Sequence, residues 1–140
     1  MVTVRVSEEI DAPAAKVWAC FADFGDTSAW GPPGTHATLE GSGVGAVRTF
    51  FAGDQPQARE KLVAYDAAAK TLSYTIVESP VPVRDYRATI AVRDAGPGRA
   101  TIEWSSTFEP AGMSADDARN LMETIYGSFI ATLKQSLAGR

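Results

Sequence analysis

The sequence predicts an α+β fold in which a curved antiparallel sheet is covered by one long helix. Residues 36–110 read as short alternating strands separated by glycine and proline turns, and residues 115–137 read as one long amphipathic helix. No helix is predicted between the later strands, which excludes a parallel crossover fold. A length of 140 residues is typical of one domain, so we expect a single domain over 1–140.

The N-terminal region predicts one strand followed by short helical segments. Val2, Val4 and Val6 alternate with polar residues, and the run ends before Pro13, which suits the start of a helix that continues to about Asp23. Glycines and prolines at 31–34 then end helical order. The strands that follow are predicted over 36–41, 45–52, 57–65, 71–78, 85–94 and 99–109.

The C-terminal helix has the clearest pattern in the chain. Ser114 followed by Asp117 is a variant of the capping box. Apolar residues then recur at helical spacing: Ala118, Leu121, Met122, Ile125, Tyr126, Phe129, Ile130, Leu133 and Leu137. A helix of 23 residues spans about 34 Å, which is enough to cross a small sheet. We expect it to pack on the concave face.

Composition narrows the range of partners. The net charge is −4 and the basic residues are scattered, so nucleic acid is not an expected partner. There is no run of 18 apolar residues, so membrane insertion is not expected either. No secretory signal pattern is visible, and a cytoplasmic location is the expectation.

The sequence gives little support for a metal site or for a catalytic nucleophile. His36 and Cys20 are the only residues of their types, and no metal-ligand spacing is present, so we expect no metal and no cofactor. Cys20 lies in a helical apolar pattern typical of a buried thiol. No serine occupies a nucleophile elbow, and the glycines at 41–45 lead into a strand, as in a hairpin, rather than into a phosphate-binding helix.

One pair of charged residues is the sharpest catalytic candidate. Strand alternation places Arg48 and Glu60 on the inward face of neighbouring strands, where an unpaired charge would be costly. A salt bridge on the outer face is the alternative, because a bulge in either strand would reverse the alternation.

Other candidates for ligand contact are mostly aromatic. Trp30 lies in a Gly/Pro-flanked loop that resembles an entrance gate, and His36 is either a general base or a surface residue, with the surface favoured. Alternation and the helical stripe add Tyr74, Tyr86, Trp104, Ser106, Met122 and Tyr126. Each aromatic residue has an ordinary core position as its alternative.

Several segments together resemble the SRPBCC superfamily, which includes START-like lipid carriers, pollen-allergen-like proteins and polyketide cyclases. They are the opening 10–18, the turn and strand 43–48, Leu72-Ser73-Tyr74, residues 86–90, residues 104–108 and the final helix. The chain looks most similar to the bacterial polyketide cyclase/dehydrase branch. The resemblance implies a helix-grip fold, with a curved sheet of about seven strands wrapped around the long C-terminal helix.

Two functions are compatible with this resemblance, because such proteins share a cavity rather than a reaction. In the first, a small hydrophobic or aromatic metabolite is bound in an internal cavity, and a polyketide-like intermediate is cyclised or dehydrated without a metal. In the second, a lipid-like ligand is carried or sensed without chemistry. The partner in both is a small hydrophobic molecule, and the protein is expected to be a monomer or a homodimer.

Overall fold

The computed structural model describes residues 1–138 and contains two helices and seven strands in that range. Their order is β1 (Val2–Ile10), α1 (Ala14–Ala22), β2 (Thr35–Glu40), β3 (Val47–Ala52), β4 (Gln55–Asp66), β5 (Thr71–Glu78), β6 (Val83–Asp94), β7 (Ala100–Pro110) and α2 (Ala115–Ala138). Every predicted strand is present, and no end differs by more than two residues from the one expected. The predicted long helix is also present, and one short helix follows β1 where short helical segments were expected.

The seven strands form one antiparallel sheet in the order β1-β7-β6-β5-β4-β3-β2. After β1 the chain passes through α1 to the far edge of the sheet and returns strand by strand. Finally β7 pairs with β1 over nine residues, from Val2 opposite Phe108 to Ile10 opposite Ala100. The predicted α+β architecture is therefore confirmed.

The long helix α2 is fixed at both ends. The Ser114 hydroxyl accepts a hydrogen bond from the Asp117 N–H at 3.1 Å, which satisfies one free N–H of the first turn. Near the C-terminus Lys134 Nζ lies 2.6 Å from Glu8 Oε1 of β1. The residues buried along one face are Ala118, Met122, Tyr126, Ile130 and Leu133. The apolar stripe read from the sequence is thus the face that packs on the sheet.

Irregular pairing bends the sheet around this helix. The register shifts between Phe50 and Phe51 on β3, at two places along β4, and between Arg84 and Arg87 on β6. Asp85 lies within the β6 shift and has a positive φ of 51°. Such bulges bend strands and increase their twist, which favours a curved sheet. No helix within residues 1–138 is long and apolar enough to cross a membrane.

Candidate functional site

A cavity of about 440 Å³ lies between the concave face of the sheet and the middle of α2. This volume falls in the lower half of the usual range for small-molecule sites. Exposed residues at the mouth are Pro32, Ala52, Gln57, Pro80 and Ser128. Phe50, Ile76, Met122, Ile125 and Phe129 supply apolar walls deeper in the cavity. The space therefore suits a compact, predominantly apolar molecule.

The wall contains few polar groups. Glu60 is the one charged residue among the described residues that line the cavity. Three phenols, from Tyr74, Tyr86 and Tyr126, also line it. A ligand that enters can therefore make specific polar contacts with one carboxyl group and with tyrosine hydroxyls.

Arg48 and Glu60 form an ion pair beneath the cavity. They are directly opposite each other in the register of β3 and β4. Arg48 Nε lies 2.9 Å from Glu60 Oε1, and Arg48 Nη2 lies 2.8 Å from the same oxygen. Both contacts use Oε1 rather than Oε2. The pair faces the interior rather than solvent.

The guanidinium of Arg48 is fixed from several sides and does not line the cavity itself. Its Nη1 donates to the Phe24 carbonyl oxygen at 3.2 Å. Its Cζ lies 4.0 Å from the centre of the Phe24 ring and between 5.0 and 5.2 Å from those of Tyr74, Trp30 and Phe50. Such rings stabilise a cation that has left water. Arg48 therefore acts on the cavity through Glu60.

Burial raises the pKa of Glu60 above its usual 4.5, and the charge and hydrogen bond of Arg48 act in the opposite direction. Desolvation is the larger effect, so the carboxylate is a stronger base than an exposed glutamate. A buried carboxylate that is paired on only one oxygen is well suited to accept a proton from a ligand.

The tyrosines are joined by hydrogen bonds. Trp104 Nε1 donates to the Tyr74 hydroxyl at 3.0 Å. The hydroxyls of Tyr86 on β6 and Tyr126 on α2 are hydrogen-bonded to each other. Burial raises the pKa of Tyr126 to about 12 and holds the pKa values of Tyr74 and Tyr86 well above 10. All three phenols therefore keep their protons at neutral pH.

The structure places His36 outside the cavity, contrary to its inclusion among the ligand-contacting candidates. Alternation on β2 directs Thr35 into the cavity, and His36 is exposed on the other face. Its ring stacks on Phe51, with centroids 5.3 Å apart. His36 is thus the surface residue that the alternative interpretation favoured.

Three further candidates have positions that differ from those expected. Trp104 is fully buried and is not part of the cavity wall, because its ring stacks behind Tyr126 with centroids 5.6 Å apart. Ser106 is buried on the inward face, but the larger Tyr86 and Tyr126 form the wall. Trp30 lines the cavity as an almost fully buried residue, with its ring 5.0 Å from that of Trp104, so it is not an exposed gate.

Sequence reasoning missed much of the mouth. Thr35 could have been found from alternation on β2, and Ser128 from its spacing of three residues after Ile125 on α2. Gln57 could not have been found in this way. It lies at the register shift opposite Phe50 and Phe51, where strict alternation fails. The described residues contain no cluster of three His, Cys, Asp or Glu side chains that could hold a metal ion.

A strongly curved sheet around a long helix, with a cavity between them, defines the helix-grip class of proteins. Residues 1–138 match the family described as polyketide cyclase / dehydrase and lipid transport, and the chain belongs to this family. No curated protein sequence gives a significant match.

Solved structures show the same fold. The protein XoxI from Bacillus cereus is 28% identical, with a TM-score of 0.86, and the match covers 97% of this chain and 95% of that one. A Thermobifida fusca protein is 33% identical, with a TM-score of 0.80 and coverage of 96% and 91%. Norcoclaurine synthase from Thalictrum flavum, solved with dopamine and hydroxybenzaldehyde, is 16% identical, with a TM-score of 0.72 and coverage of 99% and 87%. This last match concerns the fold alone.

Proposed function

We propose that the protein binds a small, largely apolar carbonyl compound in the cavity and catalyses a proton transfer that leads to its cyclisation or dehydration. The observation that carries the proposal is the position of Glu60, a buried carboxylate on the wall of an otherwise uncharged cavity. Arg48 holds one of its oxygens and leaves the other for the ligand. The family description, which includes polyketide cyclases and dehydrases, supports the same reaction class.

The chemistry requires only a base and a means of returning the proton. Glu60 Oε2 takes a proton from the carbon next to the ligand carbonyl, and the C–H electron pair forms the C=C bond of an enolate. Where the next carbon carries a hydroxyl, that group leaves as water with the proton returned by Glu60 while the carbonyl reforms. The net change is loss of one water molecule from the ligand.

Arg48 has a positioning role in this proposal. An isolated carboxylate in an apolar cavity would remain protonated at neutral pH, because burial strongly disfavours the charged form. The guanidinium offsets part of that effect and keeps Glu60 able to ionise. It also fixes the orientation of the carboxylate, which keeps Oε2 directed toward the ligand.

Transport without chemistry is a second candidate, favoured by the apolar walls of the cavity and by the lipid-transport part of the family description. In that case the Arg48–Glu60 pair would bind a polar group of the cargo. Removing the carboxylate would then change the affinity for the cargo, and there would be no reaction to abolish.

Hydrogen–deuterium exchange of 2-tetralone tests the proposal directly. This flat ketone has acidic protons next to its carbonyl, and their exchange in D2O is followed by NMR. We expect the protein to accelerate exchange, and we expect Glu60→Gln to lower the rate at least 100-fold, in line with the usual contribution of a general base. Affinity for the ketone should change much less.

Glu40→Gln is the matched control, because Glu40 is an exposed glutamate at the end of β2 and does not line the cavity. It should exchange 2-tetralone at the wild-type rate. If the wild-type protein binds 2-tetralone without accelerating exchange, the proposed catalysis is wrong and the transport function is favoured. Native mass spectrometry of the purified protein then identifies any cargo that remains bound.

A further inference from the structure

We infer that Tyr74, oriented by Trp104, donates a hydrogen bond to the carbonyl oxygen of the ligand, and that the cavity therefore selects uncharged carbonyl compounds over carboxylates. This inference rests on the proposed function and names its substrate class. It assigns to Tyr74 and Trp104 separate roles, one in contact with the ligand and one behind it.

The first observation concerns the direction of the Trp104–Tyr74 hydrogen bond. An indole N–H can only donate, so the Tyr74 oxygen is the acceptor at 3.0 Å. Trp104 is fully buried, and its N–H would be costly to leave without a partner. The hydroxyl proton of Tyr74 is not used in this bond. Tyr74 is also among the residues that line the cavity, and we infer that this unused proton is donated to an acceptor on the ligand.

The second observation concerns what lies beside Tyr74. Tyr74 is on β5 opposite Leu62 of β4, and Glu60 is the next residue of β4 on the same face. The Arg48 guanidinium contacts Glu60 and lies 5.0 Å from the centre of the Tyr74 ring. A hydrogen-bond donor and a base thus occupy neighbouring positions on one part of the wall. Enolisation of a ketone requires this combination, because negative charge develops on the carbonyl oxygen as the proton leaves.

The charge of the cavity wall disfavours a ligand that carries a carboxylate. Glu60 is the one charged group of the described cavity wall, and Arg48 is already held by Glu60 and by the Phe24 carbonyl. A ligand carboxylate would lose its water and meet a negative group, with no cation on the described cavity wall to offset either cost. A ketone accepts the Tyr74 proton without carrying a charge into the cavity. Burial also keeps the pKa of Tyr74 well above 10, so the donor is present across the neutral range.

Three ligands with one carbon skeleton test this selection by isothermal titration calorimetry at pH 7.5. Tetralin has no polar group, 2-tetralone has a ketone, and tetralin-2-carboxylate has a charged group at the same position. We expect the ketone to bind at least tenfold more tightly than the carboxylate and several-fold more tightly than tetralin. This comparison uses the wild-type protein and needs no variant.

Variants then assign the selection to Tyr74. Tyr74→Phe should weaken binding of 2-tetralone at least fivefold, leave tetralin unchanged and slow the exchange reaction. Tyr65→Phe is the matched control, because the exposed Tyr65 hydroxyl donates to the Ala22 carbonyl outside the cavity. Trp104→Phe keeps the Tyr74 hydroxyl but frees its orientation, so we expect slower exchange with a smaller loss of affinity than in Tyr74→Phe.

Each result separates the inference from the proposed function. If the carboxylate binds as tightly as the ketone, or Tyr74→Phe binds 2-tetralone with wild-type affinity, the inference is wrong even where exchange still depends on Glu60. If the ketone is selected through Tyr74 but exchange is not accelerated, the selectivity stands and the proposed catalysis fails. If none of the three ligands binds at millimolar concentration, both are contradicted.

Discussion

Arg48 and Glu60 are cross-strand partners, and the guanidinium contacts the carboxylate through Oε1 alone, at 2.9 Å from Nε and 2.8 Å from Nη2. A parallel two-oxygen contact would be the stronger geometry for a purely structural ion pair. Here the third nitrogen, Nη1, donates to the Phe24 carbonyl, and Glu60, whose Oε1 takes both contacts, lines the cavity. The pair is thereby anchored through one carboxylate oxygen, which is the arrangement that the proposed function of Glu60 requires.

Replacing Arg48 by Met should destabilise the protein by about 3–5 kcal/mol at neutral pH, because Glu60 loses its partner and must either stay charged in the interior or take up a proton well above its usual pKa. The pKa of Glu60 is already above 4.5, and losing Arg48 raises it further. The stability associated with this raised pKa is fully present below pH 4.5 and is lost as pH rises through the folded-state value. Denaturant unfolding should therefore show a larger deficit at pH 8 than at pH 5.

The double variant Arg48→Met with Glu60→Leu is the control for that experiment. Removing both charges relieves the unpaired carboxylate, so we expect it to recover much of the lost stability and to lose the pH-dependence of the deficit. A deficit that is equal at pH 5 and pH 8 in the single variant would show that the loss comes from packing against the aromatic rings instead.

The hydrogen bond between Tyr86 and Tyr126 joins β6 to α2 at the cavity wall, and its contribution can be measured by a double-mutant cycle. Each single change to Phe leaves the other buried hydroxyl without this partner, so we expect a cost of about 1–3 kcal/mol each. The double change to Phe should cost less than the sum of the two, because it removes both hydroxyls together. Additive costs would contradict a direct interaction.

The extent to which the site could be predicted depended on the regularity of the strands. Arg48 and Glu60 follow simple alternation, because residues 46–50 and 60–62 keep an ordinary pleat between the bulges. The bulge position opposite Phe50 and Phe51 brings Gln57 to the mouth, and no residue in that segment signals the extra position. Register irregularities are set by tertiary packing, which alternation alone does not report.

The depth at which each inward-facing side chain lies could not be predicted from the sequence either. Alternation and the helical stripe correctly direct Trp104 and Tyr126 inward, and both are buried. They do not show that Tyr126 covers Trp104, because this depends on how the two rings stack when α2 packs on the sheet. The fold, by contrast, follows from patterns repeated over many residues, and a single irregularity does not alter it.

Truncating two neighbouring side chains of α2 should separate core packing from the cavity. Ile130 is fully buried in the core and outside the cavity wall, so Ile130→Ala should cost about 2–5 kcal/mol of unfolding free energy. Phe129 is partly buried and lines the cavity, so Phe129→Ala should cost less than the 3–5 kcal/mol typical of a fully buried Phe. Phe129→Ala should also gain affinity for apolar ligands larger than tetralin, as measured by calorimetry. Equal affinity of both variants for a larger ligand would contradict the position of Phe129 on the wall.

Tryptophan fluorescence should report ligand binding through Trp30 rather than through Trp104. Trp30 lines the cavity, whereas Trp104 lies behind the wall with its N–H bound to Tyr74. A ligand that quenches indole on contact should therefore lower the emission of the wild-type protein and have little effect on Trp30→Phe. Trp104→Phe should keep most of the quenching, since Trp30 remains in contact with the ligand.

Trp18 is the internal reference in both variants, because it packs against Tyr65 with ring centroids 5.7 Å apart and does not line the cavity. Quenching that survives in Trp30→Phe but disappears in Trp104→Phe would place the ligand deeper than this cavity.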